Sequence, residues 1–335
     1  MSSFDSLKSK YLPLVEDELC GFLSSSAEHD RIDACARMAG YHLETGGKRL
    51  RALIPLYVYQ ILGKDPVAAV ALGAAVEMIH NATLVHDDLQ DGDEVRRERP
   101  TVWKKYSEAQ AINCGDAMFY FAIRLLAKLD VDAASLVRLM DRASLSTLQV
   151  IEGQAQEFIM KDELYPTVER YLEVIRGKTS GLFSLPIVSA LEALGVEERR
   201  CRIVEAAAMD LGMLFQIQDD LLDVYGNKGR DRVATDVAEG KVSILVAHVN
   251  ACGTEQQKQE LKAILSKPRR ETTDADIQHA LGIFEATHAK SAAIEKIRDI
   301  QKKIQNDSAL AEFRQMRDLI SELGDIFLEP LNGIL

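Results

Sequence analysis

The stretch Leu84-Val85-His86-Asp87-Asp88-Leu89-Gln90-Asp91-Gly92-Asp93-Glu94-Val95-Arg96-Arg97 ends a long apolar run with a dense set of acids and then two adjacent arginines. On an α-helix Asp87 and Asp91 lie one turn apart on the same face, about 6 Å apart along the axis. Carboxylates held that close repel one another unless a cation sits between them. Oxygen ligands without His or Cys point to Mg²⁺, which keeps several waters and is shared between one or two carboxylates and a substrate phosphate. Taken alone, the motif also fits a solvated acidic helix end. A second copy, Gln216-Ile217-Gln218-Asp219-Asp220-Leu221-Leu222-Asp223, repeats the spacing, again at the end of an apolar helical run. Two such clusters facing each other across a helical cavity would hold several Mg²⁺ around one diphosphate.

The apolar runs that lead into both clusters set the fold class as all-α. The chain has 335 residues, 47% hydrophobic and 27% charged, with only 8 Pro and 20 Gly, so helix formers dominate and the length allows a large core. No Pro/Gly/Ser-rich linker divides it, and a single helical domain over 1–335 is expected. The net charge of -12 argues against nucleic acid as a partner. A phosphate ligand must then be held by local bases and metal. Cys20, Cys35, Cys114, Cys201 and Cys252 are scattered, without Cys-x-x-Cys spacing, and read as reduced and buried. The N-terminus has no basic region followed by an apolar core, and no apolar run reaches a membrane span, so a cytoplasmic protein is expected.

Outward from the first cluster, periodicity predicts helices over 5–22, 29–42, from the bases at 48–51 to about 62, 65–91, 102–128, 131–160 and 167–176. Thr45-Gly46-Gly47-Lys48-Arg49-Leu50-Arg51 places a glycine pair before three bases at a helix start, with Lys48 and Arg51 expected to point the same way. Pro100 ends the acidic segment and leaves Arg96 and Arg97 in a loop, where their planar forks suit phosphate. Met118, Phe119, Tyr120 and Phe121 read as core, and part of Glu152-Gly153-Gln154-Ala155-Gln156-Glu157 reaches a site by spacing. Gly177-Lys178-Thr179-Ser180-Gly181 interrupts a helix. That fits either a kink presenting Lys178 to a phosphate or a solvated one. Residues 224–239, with Lys228, Arg230 and Arg232, read as a mobile flap, and a new helix starts near Ile244. The helices beyond 254 carry no visible chemistry.

In order along the chain, Gly-Gly-Lys-Arg-x-Arg, Asp-Asp-x-x-Asp with its Arg-Arg, Lys178-Thr179, Phe215-Gln216, the second Asp-Asp-x-x-Asp and Gly240-Lys241 resemble the trans-type isoprenyl diphosphate synthases, or polyprenyl synthetases, from about Gly46 to Lys241. The resemblance implies an all-α isoprenoid synthase fold whose central helices enclose a deep cavity, usually a homodimer, that joins isopentenyl diphosphate to an allylic diphosphate (dimethylallyl, geranyl or farnesyl) and releases pyrophosphate. It further implies that Asp87 and Asp91, with Asp219 and Asp223, bind about three Mg²⁺ that take up charge on the leaving diphosphate. By the same resemblance Asp88 belongs to the catalytic cluster. Arg96, Lys178, Thr179, Gln216 and Lys241 hold the allylic diphosphate, and Lys48, Arg51, His80 and Arg97 hold isopentenyl diphosphate.

Two positions depart from the family pattern. Glu98 stands where Gly usually follows Arg-Arg, and Ala52 where Pro usually follows the glycine motif. Along the helix below Asp87, Thr83 and Ala82 lie about one turn deeper, and a small Ala82 leaves a tunnel open past farnesyl length. Glu239-Gly240-Lys241-Val242-Ser243-Ile244 resembles geranylgeranyl-type members of the family, which implies a product of about C20. Met78, Ile79, Met118, Phe119 and Phe121 would form a deeper floor. Longer polyprenyl products and farnesyl diphosphate are the alternatives in chain length. A class I terpene cyclase would lack the Gly46–Arg51 segment and the second Asp-Asp-x-x-Asp, and a silent prenyl-binding partner subunit would have lost acids or the arginine pair. A calcium-binding loop is excluded, because no Asp-x-Asp-x-Asp-Gly run with a distal Glu is present.

Overall fold

The helix expected over 65–91 begins as a 3-10 turn, Pro66–Ala69, and continues as an α-helix, Val70–Gln90. In the computed structural model, which describes residues 3–226 and 234–333, Asp65 Oδ1 caps its start by accepting the Val67 N–H at 3.0 Å. Leu72, Val76, Met78, Ile79 and Ala82 are each at most 2% exposed, so the helix is buried nearly all round. Pro66–Gln90 has the length and mean apolarity of a membrane span, a longer apolar segment than expected because averaging tolerates its few polar residues. Of that window, 67% is buried inside the protein, as befits a core helix.

The chain divides into two compact units, 1–147 with 185–202 and 148–184 with 203–335. In the first, Ser3–Glu28, Asp33–Leu43, Leu50–Ile61 and Glu108–Leu126 pack around Val70–Gln90. The second contains Val168–Ile175, most of Glu198–Tyr225, and Ile244–Cys252, Glu255–Leu265, Asp274–Ala286, Ala289–Gln305 and Arg314–Leu328. Its aromatic centre joins Phe183, Phe215 and Phe327, with ring centroids 4.9–5.3 Å apart. Among the described residues the β-structure is one hairpin, Val95–Arg96 against Arg99–Pro100. The fold is all-α, as expected.

Several local expectations change. The helix foreseen over 102–128 breaks after Val102–Lys105 and restarts at Glu108, where Ser107 Oγ accepts the Gln110 N–H at 3.2 Å. Tyr120 is 74% exposed, because it lies on the outer face of Glu108–Leu126. Cys20 and Cys252 are exposed rather than buried, whereas Cys114 and Cys201 are in the core. Lys228, Arg230 and Arg232 of the expected flap lie outside the described residues.

The hairpin explains the departure at Glu98. Its two-residue loop requires positive φ at both central positions, Arg97 at 49° and Glu98 at 65°. A glycine occupies that region without strain, whereas a residue with a Cβ is strained there by about 1 kcal/mol. The exposed Glu98 therefore costs backbone energy at that turn. Glu98→Gly is expected to raise unfolding stability by about 1 kcal/mol, read as a higher urea midpoint at unchanged m-value. A midpoint that falls would contradict the strain.

Ala52 is harmless for a related reason. It sits in the first turn of Leu50–Ile61, where the N–H lacks an intrahelical partner and either Pro or Ala fits.

Candidate active site

In the first unit the two acids of the opening motif keep their one-turn relation, since the Asp91 N–H donates to the Asp87 carbonyl at 2.8 Å. Both side chains are half-buried and reach the surface of the helix end. Asp88 is turned the other way and is 1% exposed. Arg96 grips it, with Nε 2.8 and 3.0 Å from the two carboxylate oxygens and Nη2 2.5 Å from Oδ1. Burial pushes the Asp88 carboxyl up to about 6, against the pull of Arg96. Burial alone would lower Arg96, but the Asp88 pairing outweighs it and leaves the guanidinium firmly charged. Asp88 is thus the residue that holds Arg96 in place.

The hairpin that carries the arginine pair is pinned from outside. Tyr41 donates to the Pro100 carbonyl at 2.7 Å, and Trp103 Nε1 to the Asp93 carbonyl at 2.8 Å. Arg97 reaches back to donate to the Gly46 carbonyl. Gly47, at φ 138°, leaves room for that guanidinium, because a Cβ there would lie 2.6 Å from Arg97 Nη1. The glycine motif and the arginine pair are therefore joined in one unit.

The three bases after the glycines do not act alike. Leu50–Ile61 starts later than expected, so Lys48 precedes the helix and stays exposed instead of sharing a face with Arg51. Arg49, at φ 49°, turns inward to a buried ion pair with Glu77 at 3.2 Å and donates to the Leu43 carbonyl at 2.5 Å. Glu77 Oε1 also accepts from Asn81 at 3.0 Å. Arg51 Nη1 lies 3.2 Å from His80 Nε2. Burial first, then Arg51, Arg96 and Arg97, hold His80 well below its ordinary range, so it is neutral at pH 7. Burial lowers Arg51 to about 10, which leaves it charged. A neutral imidazole and several guanidiniums around one glycine turn make an anion site.

In the second unit Asp219 is half-buried, while Asp220 and Asp223 are 3% and 4% exposed. Asp223 accepts from Thr235 Oγ1 at 2.6 Å and from the Asp236 N–H at 3.0 Å, which ties down the start of the segment after 233. Asp220 accepts from Tyr171, Gln216 and the Ile244 N–H. Burial pushes it up to about 6, opposed by these donors. Gln216 in turn accepts from Thr179 Oγ1 at 2.8 Å.

Lys178 lies in a π-helical turn, Arg176–Ser180, and is ion-paired to Glu157. Two glycines permit that turn. A Cβ at Gly153 would sit 2.1 Å from the Lys178 nitrogen, and one at Gly212 would sit 2.5 Å from Ser180 Cα. Lys241 contacts Glu239 at 2.7 Å and Asp236 at 3.9 Å, and Glu239 is shared with Arg269 at 3.4 Å.

Sequence reasoning missed Glu77, Tyr171, Glu239 and Arg269. For Glu77 a signal existed, since it is the one formal charge between Val70 and His86, and a buried charge must be paired. Among the described residues no three His, Cys, Asp or Glu side chains form a ready-made metal cage. Half-exposed carboxylates at Asp87, Asp91 and Asp219 fit Mg²⁺ all the same, because that ion relies on water and substrate phosphate for most of its shell.

The family model described as Polyprenyl synthetase matches residues 32–284. A short chain isoprenyl diphosphate synthase of Methanocaldococcus jannaschii is 34% identical over 260 residues, covering 76% of this chain and 77% of its own. The crystal structure of geranylgeranyl pyrophosphate synthetase from Pyrococcus horikoshii superposes with a TM-score of 0.84 at 27% identity, covering 97% of this chain and 98% of that one. A polyprenyl synthase from Caulobacter crescentus, complexed with calcium and isoprenyl diphosphate, gives 0.81 at 25% identity, with 97% of each chain covered.

Proposed function

Because the chain belongs to the polyprenyl synthetase family of trans-prenyltransferases, we propose that it joins isopentenyl diphosphate to an allylic diphosphate with the help of Mg²⁺, making geranylgeranyl diphosphate and pyrophosphate. The observation that carries this reading is the exposure pattern of the two acidic motifs. Asp87, Asp91 and Asp219 are left half-exposed, while Asp88 and Asp220 are spent on holding neighbouring groups.

Bound Mg²⁺ neutralises charge that builds on the departing diphosphate as the allylic C–O bond ionises. Asp87 and Asp91 would hold such an ion through their carboxylate oxygens, and so would Asp219. Asp223, which accepts from Thr235 and the Asp236 N–H, would join them as the family pattern implies. Arg96, braced by Asp88, together with Lys178, Thr179, Gln216 and Lys241, holds the allylic diphosphate. Lys178 and Lys241 rest on Glu157 and Glu239 and exchange those partners for phosphate oxygens. Lys48, Arg51, His80 and Arg97 hold isopentenyl diphosphate so that its double bond faces the cation. The final proton passes to the released pyrophosphate, so no side chain need act as general base.

A homodimer goes with this reading. Helix Ala133–Asp162 leaves Val137, Leu145, Leu148, Ile151 and Ile159 exposed, more apolar surface than a monomer helix needs.

Chain length is tested at Ala82, which is fully buried five residues before Asp87. Ala82→Phe is expected to shift the main product to a shorter prenyl diphosphate when wild type and variant are given the same substrates. An unchanged product distribution would place the growing chain elsewhere.

A further inference from the structure

Asp220 is the centre of a buried hydrogen-bond chain that neither motif nor spacing reveals. Its Oδ2 accepts from the Tyr171 hydroxyl at 2.6 Å and from the Ile244 N–H at 2.9 Å. Its Oδ1 accepts from Gln216 Nε2 at 3.0 Å, and Gln216 Oε1 accepts from Thr179 Oγ1 at 2.8 Å. All five residues belong to the second unit. Tyr171, on Val168–Ile175, is 2% exposed, and a carboxylate can only accept, so its hydroxyl must be the donor.

We propose that Tyr171 is a positioning residue for diphosphate binding, acting through Asp220 on Gln216 and Thr179 at one end and on the Lys241–Ile244 backbone at the other. This rests on the assignment of Thr179, Gln216 and Lys241 to the allylic diphosphate.

The physical argument is one of donor supply. A carboxylate buried this deeply is stable only while its donors are present. With Tyr171 in place, Asp220 is turned so that Gln216 must present Nε2 inward and Oε1 toward Thr179, which fixes the amide orientation. The same oxygen holds the Ile244 N–H, three residues beyond Lys241. Without the phenol hydroxyl, Oδ2 keeps a single donor and the carboxylate can rotate. Gln216, Thr179 and the 241–244 backbone then lose their common reference. A phenylalanine fills the same space, so packing alone is retained.

The test is steady-state kinetics with each substrate varied separately, for wild type, Tyr171→Phe, Asp220→Asn and the double variant, well below their melting temperatures. Tyr171→Phe is expected to lose about 10- to 100-fold in kcat/KM for the allylic diphosphate. The KM for isopentenyl diphosphate should stay at its wild-type value. The two losses should not multiply in the double variant, since both changes act on one hydrogen-bond chain. Wild-type kinetics in Tyr171→Phe, equal losses for both substrates, or losses that multiply in the double variant would each overturn the proposal.

If Phe at 171 prevents folding, Asp220→Asn decides the matter, because it removes the acceptor that fixes the Gln216 amide. It should lower kcat/KM for the allylic diphosphate and leave the KM for isopentenyl diphosphate at its wild-type value. Wild-type kinetics, or equal losses for both substrates, would overturn the proposal. Turnover by the wild type alone settles the prenyl-transfer reading, whichever way the variants behave.

Discussion

Asp87→Ala is expected to lower turnover by about 10³-fold or more while leaving the helix content and melting temperature near wild type. The side chain is half-buried at the end of Val70–Gln90, and the carboxylate that grips Arg96 is that of Asp88. Removing it should leave the hairpin and the arginine pair where they are. What disappears is one carboxylate of the Asp87/Asp91 pair, and with it the site for a divalent cation on the allylic diphosphate. Calorimetric titration with Mg²⁺ and pyrophosphate, run beside the turnover assay, separates this from damage to the fold. Substantial residual turnover would remove Asp87 from the metal site. The corresponding change at Asp88 should differ in kind, because it would leave Arg96 without its partner.

Gly153→Ala should also be damaging, from a position outside both acidic motifs. The new Cβ would fall 2.1 Å from the Lys178 nitrogen and 2.5 Å from its Cα, against backbone that has no rotamer to change. Either helix Ala133–Asp162 or the turn Arg176–Ser180 must move, and the pairing of Lys178 with Glu157 moves with it. A displacement near 1 Å at such a group costs about 10²-fold in kcat/KM. The melting temperature should fall as well, since the close contact is part of the core of the second unit. Kinetics on the purified, folded variant check this, and near-wild-type kcat/KM would show that the turn tolerates displacement.

Helix periodicity and one-turn acid spacing made the main elements legible in the sequence, and the comparisons agree with the family read from the motifs. What stayed hidden follows a physical pattern. Within each Asp-Asp-x-x-Asp, spacing cannot say which acid faces outward, because the partners of the buried ones come from elsewhere in the chain. Tyr171 is 49 positions from Asp220, and Arg49 is 28 from Glu77. The hairpin at Arg97 and Glu98 was equally invisible, since its positive φ values fall on residues other than glycine. Lys48 and Arg51 were misplaced on one face because the helix begins only at Leu50, after Arg49 has adopted a left-handed conformation. Glu77, an isolated charge inside an apolar helix, was a signal that the sequence reading passed over.

The most direct measurement is the product made by purified protein from labelled isopentenyl diphosphate and Mg²⁺, with dimethylallyl, geranyl and farnesyl diphosphate in separate reactions. The account predicts geranylgeranyl diphosphate as the main product, with pyrophosphate released once per condensation. No prenyl product with any primer would contradict it.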